Sequence, residues 1–259
     1  MGWGMMRGIL GCVCLFWCAL LGAGCASRVP MPESVPVVVS VLIPDPGTDD
    51  ASRRVSGTVV GRRVLTAAHV LVIDADGAVD MDWLEVRRAQ TQVRSVHHGD
   101  LASVATMEDP GEPLGNFLHD WLAFEAHWRV DNTPPVWEMG DGHVVNGETL
   151  YAIRARGHWA GEHEVIRLRA RVAESVNDEP MPVGMLFVSP RGRNPGRGWS
   201  GSFVGRYDAE ADRWVFVGML VGRTRQTNGR KLFIVIRPPE EVIRWLLEGD
   251  VSTARGGGG

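Results

Sequence analysis

Short runs of Val, Ile, Leu and Thr, separated by Gly, Pro, Asp and Asn, recur along most of the chain. This pattern is typical of short β-strands joined by turns. Residues 165–172 show it most clearly, because apolar side chains there alternate with Arg167, Arg169 and Arg171. The alternation predicts a strand with one buried face, and we expect the arginines to lie on its solvated face. The other predicted strands are residues 37–43, 57–60, 63–67, 83–87, 121–126, 149–153, 185–188, 214–221 and 231–236.

One segment near the C-terminus has the features of a helix instead. Two prolines and two glutamates at residues 238–241 precede the apolar-rich stretch 242–247, and Gly249 follows. Proline and acidic residues favour the first helical turn, and glycine favours the end of a helix. Many short strands with one terminal helix predict an all-β fold, built as paired β-barrels or as a sandwich.

Length and composition are those of an ordinary globular protein. The chain has 259 residues, of which 44% are hydrophobic and 22% are charged. The length suits one large domain or two small half-domains. The net charge of −4 gives no indication of a nucleic-acid partner.

Residues 1–24 differ from the rest of the chain. Arg7 is their only charged residue, and the apolar run 8–23 follows it. The run is short for a membrane span, which needs roughly 20 residues, but it fits the core of a signal peptide. We expect a tether at residues 25–35, a folded domain at residues 36–250 and a disordered, glycine-ending tail at residues 251–259.

The end of this signal segment resembles the lipobox of bacterial lipoproteins. Residues 20–27 are Leu-Leu-Gly-Ala-Gly-Cys-Ala-Ser, with Gly22 at a position where that family usually has leucine. The resemblance implies that Cys25 is acylated and becomes the first mature residue. The protein would then be anchored to a membrane of the bacterial cell envelope, on its periplasmic or extracellular face. Plain signal cleavage and an uncleaved anchor remain alternatives.

The cysteines are confined to this same N-terminal region. All four lie at or before Cys25, so the predicted domain has no disulfide, no cysteine nucleophile and no thiolate metal site. Histidine pairs give no metal signature either. His97 adjoins His98, and His158 lies five residues before His163, whereas a zinc-binding helix places its two histidines four residues apart. We therefore expect no metal.

A histidine follows a predicted hairpin in residues 56–70. This segment has a strand, a glycine turn, a second strand and then Thr66-Ala67-Ala68-His69. It resembles the segment of trypsin-like serine proteases in which Thr-Ala-Ala-His supplies the general base. The resemblance implies that role for His69.

A glycine-flanked serine forms the second motif. Gly198-Trp199-Ser200-Gly201-Ser202 precedes an apolar stretch and resembles the nucleophile loop of the same family. The resemblance implies that Ser200 is the nucleophile and that the N–H groups of Gly198 and Ser200 form the oxyanion hole. A glycine at 198 permits the backbone conformation that this role requires. A phosphate-binding loop is excluded, because such a loop needs Lys where Trp199 stands.

The third member of a triad would be an aspartate. Asp120 precedes the apolar stretch 121–124 and resembles the family's aspartate, whereas nothing after the competing Asp100 continues the family pattern. The order His69, Asp120, Ser200 is that of chymotrypsin. The resemblance extends over residues 37–248 and is strongest to the cysteine-poor bacterial HtrA-like and glutamyl-endopeptidase-like branches.

The family resemblance carries specific expectations. It implies two six-stranded antiparallel β-barrels with a C-terminal helix, and a serine endopeptidase that works through an acyl-enzyme and needs no cofactor. It also implies substrate contacts at Asn194, Val221 and Arg223, with Asn194 at the floor of the specificity pocket. The substrate would be a protein or peptide. Four arginines lie near the expected cleft in the sequence. They favour acidic substrates in one interpretation, and in the other they are simply solvated loop residues. These are Arg191, Arg193, Arg197 and Arg223.

Trp199 departs from the trypsin pattern. Trypsin-type zymogens have an aspartate there, which pairs with a newly formed N-terminal amine, so we expect no such activation switch. The same departure supports a rival hypothesis, a catalytically inactive domain that binds peptides or proteins at the envelope.

Overall fold

Two β-sheets and one C-terminal helix make up the part of the chain that the computed structural model describes. The described residues are 34–44, 52–70, 85–86, 91–92, 94–101, 114–126, 130, 135–156, 162–172, 181–225 and 231–248. The predicted signal peptide, Cys25, most of the tether, the tail and His158 lie outside them. No helix among the described residues is long and apolar enough to cross a membrane.

The N-terminal sheet contains seven strands in the order β5-β4-β1-β2-β3-β7-β6. The outermost strands, β5 and β6, are separated by one residue in the chain, so both edges of the sheet meet at one segment. The strands are β1 (Val38–Pro44), β2 (Ser52–Val60), β3 (Arg63–Thr66), β4 (Glu85–Val86), β5 (Thr91–Gln92), β6 (Arg94–His98) and β7 (Leu122–Glu125).

The C-terminal sheet closes into a barrel. Six antiparallel strands follow the order β12-β9-β10-β11-β14-β13, pairing of β12 with β13 closes the ring, and β8 adds to β13 in parallel. The strands are β8 (Trp137–Met139), β9 (Thr149–Ala155), β10 (His163–Ala170), β11 (Met185–Pro190), β12 (Ser202–Asp208), β13 (Arg213–Arg225) and β14 (Lys231–Ile236).

Helix α1 (Glu240–Glu248) is the helix that residues 238–249 predict. It begins after Pro239, whose carbonyl oxygen accepts the N–H of Val242 at 3.0 Å. Val242, Ile243 and Leu246 are buried, since they share one face of the helix. The predicted all-β fold with a terminal helix is confirmed.

Two hydrophobic clusters hold these elements together. One fills the C-terminal barrel with side chains such as Leu168, Val188 and Phe233. The other contains Leu65 of the N-terminal sheet, Phe203 of the barrel and Ile243 of α1. Because this second cluster spans both sheets, burial of its apolar surface packs them against each other.

One strand pairing positions the candidate site. Strands β3 and β7 are antiparallel neighbours, with Thr66 opposite Leu122. Residues that follow β3 and residues that precede β7 therefore leave the sheet at the same end. His69 lies just after β3 and Asp120 just before β7, so the pairing brings them together across a gap of 51 residues in the chain.

Candidate active site

His69 and Asp120 form a close pair in which the carboxylate is buried and the imidazole is partly exposed. His69 belongs to the 3₁₀ turn Ala68–Val70. Its Nδ1 lies 2.7 Å from Oδ2 of Asp120, and its backbone N–H donates to Oδ1 at 2.8 Å. The carboxylate is fully buried, while 31% of the His69 side chain is exposed. Two contacts to one carboxylate fix the ring orientation and favour the tautomer with its proton on Nδ1, which leaves Nε2 on the opposite side of the ring.

The backbone around Asp120 is held by its own hydrogen bonds. The N–H of Asp120 donates to the carbonyl oxygen of Phe117 in the 3₁₀ segment Leu114–His119, and the carbonyl oxygen of Trp121 accepts the N–H of Gly99. Asp100 is exposed. The carboxylate that contacts both the ring and the backbone of His69 is that of Asp120.

Ser56 links the Ser200 loop to the N-terminal sheet. Its N–H donates to the carbonyl oxygen of Ser200 at 2.8 Å, and its hydroxyl donates to the carbonyl oxygen of Gly198 at 3.0 Å. The Ser56 oxygen also accepts the N–H of Ala155 at 3.3 Å. One small residue of β2 thus contacts both the loop that contains Ser200 and strand β9 of the barrel. The sequence contains no local signal for this role.

Gly201 brings the serine loop against the histidine segment. Its φ is 76°, and a Cβ there would lie 1.9 Å from the carbonyl oxygen of Ser56 and 3.1 Å from the backbone nitrogen of Ala67. Only glycine fits this close approach. Because Ala67 is two residues before His69, the Ser200 loop and the backbone that leads to His69 are in direct contact.

Gly198 and Ser200 are the two residues expected to supply the oxyanion-hole donors. Gly198 has a φ of 81°, a conformation that glycine adopts without strain. Within the described residues, neither N–H donates to a protein acceptor. The Ser200 hydroxyl donates a long hydrogen bond of 3.5 Å to the carbonyl oxygen of Val221.

Trp199 points away from these groups and into the barrel. Its side chain is only 2% exposed and belongs to the hydrophobic cluster of the barrel. The guanidinium of Arg154 lies 4.7 Å from the indole centroid and also donates to the carbonyl oxygen of Arg197 at 3.0 Å. Arg154 is itself paired with Glu164. The buried indole of Trp199 is thus an apolar anchor for the loop that contains Ser200.

The residues that were expected to contact the substrate do not all lie at one place in the structure. Val221 is buried beside Ser200, and Arg223 is exposed on β13. Asn194 is exposed and lines a surface pocket with Arg191. None of the contacts described in the structure joins Asn194 to His69, Asp120 or Ser200.

The histidines considered as metal ligands make other contacts. His98 Nδ1 lies 2.8 Å from the carbonyl oxygen of Gly99, and the ring of His97 packs edge-on against Trp245 at 5.0 Å. No group of three or more His, Cys, Asp or Glu residues in the described ranges is arranged to hold a metal ion.

A closed antiparallel barrel beside a second sheet, with a histidine and an aspartate from one sheet next to a serine loop, defines a chymotrypsin-like fold.

No protein-family model matches the chain, and no curated protein matches it. The scabies mite inactivated protease paralogue S-I1 is similar over 82% of this chain and 92% of that one, with a TM-score of 0.52 and 14% identity. The inactive form of a serine-to-alanine mutant of Rv3671c from M. tuberculosis H37Rv gives a TM-score of 0.45 and 15% identity, over 81% of this chain and 84% of that one. At these identities the similarity to the first structure establishes the fold alone.

Proposed function

We propose that the protein is a serine endopeptidase with His69, Asp120 and Ser200 as its catalytic triad. The observation that carries this proposal is the fully buried Asp120 carboxylate, bonded to both the backbone and the ring of His69, beside the Ser200 loop. A buried carboxylate that orients an imidazole is the arrangement that makes histidine an effective base toward a serine hydroxyl.

Each group has a defined task in the proposed reaction. His69 accepts the proton of Ser200 as its oxygen attacks the substrate carbonyl carbon, and the N–H groups of Gly198 and Ser200 stabilise the oxyanion. His69 then protonates the leaving amine, and an acyl-enzyme ester remains. Water, deprotonated by His69, hydrolyses the ester and restores Ser200. The chemistry requires neither a metal nor a cofactor.

The proposed substrate is a protein or peptide that lies along β13. The carbonyl of Val221 beside Ser200 and the exposed Arg223 supply contacts on this strand. Exposed cations at Arg191 and Arg223 favour acidic over basic substrates. Export as a lipoprotein anchored at Cys25 would place this activity at the bacterial cell envelope.

Covalent labelling with a fluorophosphonate probe tests the proposal. We expect modification of Ser200, loss of labelling in Ser200→Ala and strong reduction in His69→Ala. Ser202→Ala is the matched control, because Ser202 lies two residues away and its buried hydroxyl has no hydrogen-bond partner within the described residues. If the folded wild-type protein were not labelled by the probe, the proposed catalytic function would be contradicted.

The rival function is a non-catalytic domain that binds peptides. The long hydrogen bond from Ser200 to Val221 favours it, since this contact directs the hydroxyl toward a carbonyl oxygen. Digestion of a peptide library by the mature domain, with Ser200→Ala in parallel, separates the two. Cleavage by the wild type alone supports the enzyme, whereas peptide capture without cleavage by both proteins supports the binding module.

A further inference from the structure

The peptide unit between Arg197 and Gly198 supplies one of the two N–H groups expected at the oxyanion. This peptide bond is trans, so its carbonyl oxygen and its N–H point in opposite directions within one plane. The side on which the Arg197 oxygen is held therefore decides the direction of the Gly198 N–H. Because glycine adopts many backbone conformations, a flip of this unit meets little resistance at Gly198 itself.

The side chain of Arg154 holds the Arg197 oxygen. Its Nη1 donates to that oxygen at 3.0 Å, and a Cβ added at Gly198 would lie 3.6 Å from the same nitrogen. The guanidinium also lies over the ring of Trp199, 4.7 Å from its centroid. One side chain thus lies against three consecutive residues of the loop that leads to Ser200.

Glu164 fixes the orientation of this guanidinium. The two residues lie opposite each other on β10 and β9, and Nε and Nη2 of Arg154 both donate to Oε2 of Glu164. Only 19% of the Arg154 side chain and 18% of the Glu164 side chain are exposed. The other carboxylate oxygen, Oε1, accepts a hydrogen bond from Arg193 at 2.7 Å. Because a guanidinium is planar, bonds on its Nε–Nη2 edge leave Nη1 directed at the loop.

Ser56 holds the next peptide unit of the same loop. Its hydroxyl donates to the carbonyl oxygen of Gly198 and accepts the N–H of Ala155, which directly follows Arg154 in β9. The peptide units on both sides of Gly198 are therefore each held by a hydrogen bond to their carbonyl oxygen. Neither unit can flip without the loss of that bond.

We propose that Arg154, oriented by Glu164, is a positioning residue that keeps the Gly198 N–H directed at the oxyanion. Arg154 acts through the Arg197–Gly198 peptide and not by contact with the substrate. The inference rests on the proposed function, since it assigns a role within that catalytic site.

Fluorophosphonate labelling at a series of probe concentrations separates binding from reaction. The phosphoryl oxygen of the probe takes the place of the oxyanion, so a misdirected N–H lowers the maximal labelling rate and leaves the half-saturating probe concentration unchanged. Arg154→Met keeps an apolar stem over Trp199 but cannot donate. Since loss of one oxyanion donor costs about 10²–10³ in rate, we expect this variant to lower the maximal rate by at least about tenfold.

Arg206→Met is the matched control. Arg206 belongs to the same barrel, donates to the carbonyl oxygen of His143 at 2.8 Å and pairs with Glu148, so this variant loses the same kinds of contact. It should be labelled at the wild-type rate. Equal maximal rates for Arg154→Met and Arg206→Met would overturn the inference and leave the proposed function intact. Melting temperatures verify that each variant is folded.

A double-mutant cycle tests the role of Glu164. Glu164→Ala should also lower the maximal labelling rate, because the guanidinium is then free to turn away from Arg197. The variant that combines Glu164→Ala with Arg154→Met should react no more slowly than Arg154→Met alone, since residues that act through one contact are not additive. Independent losses from the two substitutions would refute the assigned role of Glu164.

Nuclear magnetic resonance tests the peptide orientation without catalysis. In protein with ¹³C-carbonyl arginine and ¹⁵N-glycine, carbonyl-correlated amide signals come from glycines that follow an arginine, and Arg197→Lys identifies the signal of Gly198. Arg154→Met should shift this signal, and Arg206→Met should not. An unshifted signal would overturn the inference even if the wild type were labelled. A shifted signal in a protein that no probe labels would support the positioning of the peptide and contradict the proposed protease function.

Discussion

The hydroxyl of Ser56 donates to the carbonyl oxygen of Gly198 at 3.0 Å, across 142 positions of the chain. Through this contact, strand β2 of the N-terminal sheet holds the loop that carries Ser200. The same hydroxyl accepts the N–H of Ala155, so three segments meet at one small side chain.

Ser56→Ala should therefore impair both stability and activity. It leaves a carbonyl oxygen and an N–H without their partner, which costs about 1–3 kcal/mol of the free energy of unfolding. Urea denaturation and kcat/KM on a peptide substrate measure the two effects. Thr58→Val is the matched control on the same strand, because the buried hydroxyl of Thr58 lacks a hydrogen-bond partner within the described residues. If Thr58→Val lowered the free energy of unfolding and kcat/KM as much as Ser56→Ala, the proposed role of the Ser56 hydroxyl would be contradicted.

Asp120→Asn should nearly abolish turnover while the fold is retained. The amide cannot accept the Nδ1 proton in the same way and stabilises the wrong tautomer of His69, so kcat should fall on the order of 10⁴-fold. Asp100→Asn should leave kcat unchanged, since Asp120 is the aspartate that contacts His69. Steady-state kinetics with both variants decides whether His69 depends on this carboxylate.

Gly201→Ala should destabilise the protein strongly. The added Cβ would clash with the carbonyl oxygen of Ser56, a backbone atom that cannot move alone, and alanine is strained at a φ of 76°. We expect a loss of about 3–5 kcal/mol in the free energy of unfolding. Gly196→Ala in the same loop should be nearly neutral, because a Cβ there meets nothing within 4 Å. Similar unfolding midpoints for the two variants would disprove the close approach of Gly201 to the Ser56 carbonyl oxygen.

Trp199→Ala should lower stability by about 3–5 kcal/mol, since it opens a cavity in the hydrophobic cluster of the barrel. Trp199→Phe retains part of the apolar volume and should cost distinctly less. Chemical denaturation of both variants measures the difference. If Trp199→Ala unfolded at the wild-type denaturant concentration, the indole could not serve as the apolar anchor of the Ser200 loop.

Much of the fold was predictable because strands and helices leave local patterns. The alternation in residues 165–172 predicted β10, and the burial of Ile166, Leu168 and Ala170 follows it. The hydrophobic pattern did not predict strands β5, β6, β8 and β12. They are short or rich in polar residues, and tertiary pairing, rather than their own pattern, makes them strands.

The sequence by itself determined the order of short strands, the terminal helix, and the local settings of His69, Asp120 and Ser200, because periodicity and glycine positions are properties of neighbouring residues. Only the tertiary structure showed that the Asp120 carboxylate contacts both the ring and the backbone of His69, and that Ser56 and Arg154 hold the Ser200 loop. These relationships depend on which strands become neighbours. Burial of the whole core determines which strands become neighbours, and no local sequence pattern specifies that arrangement.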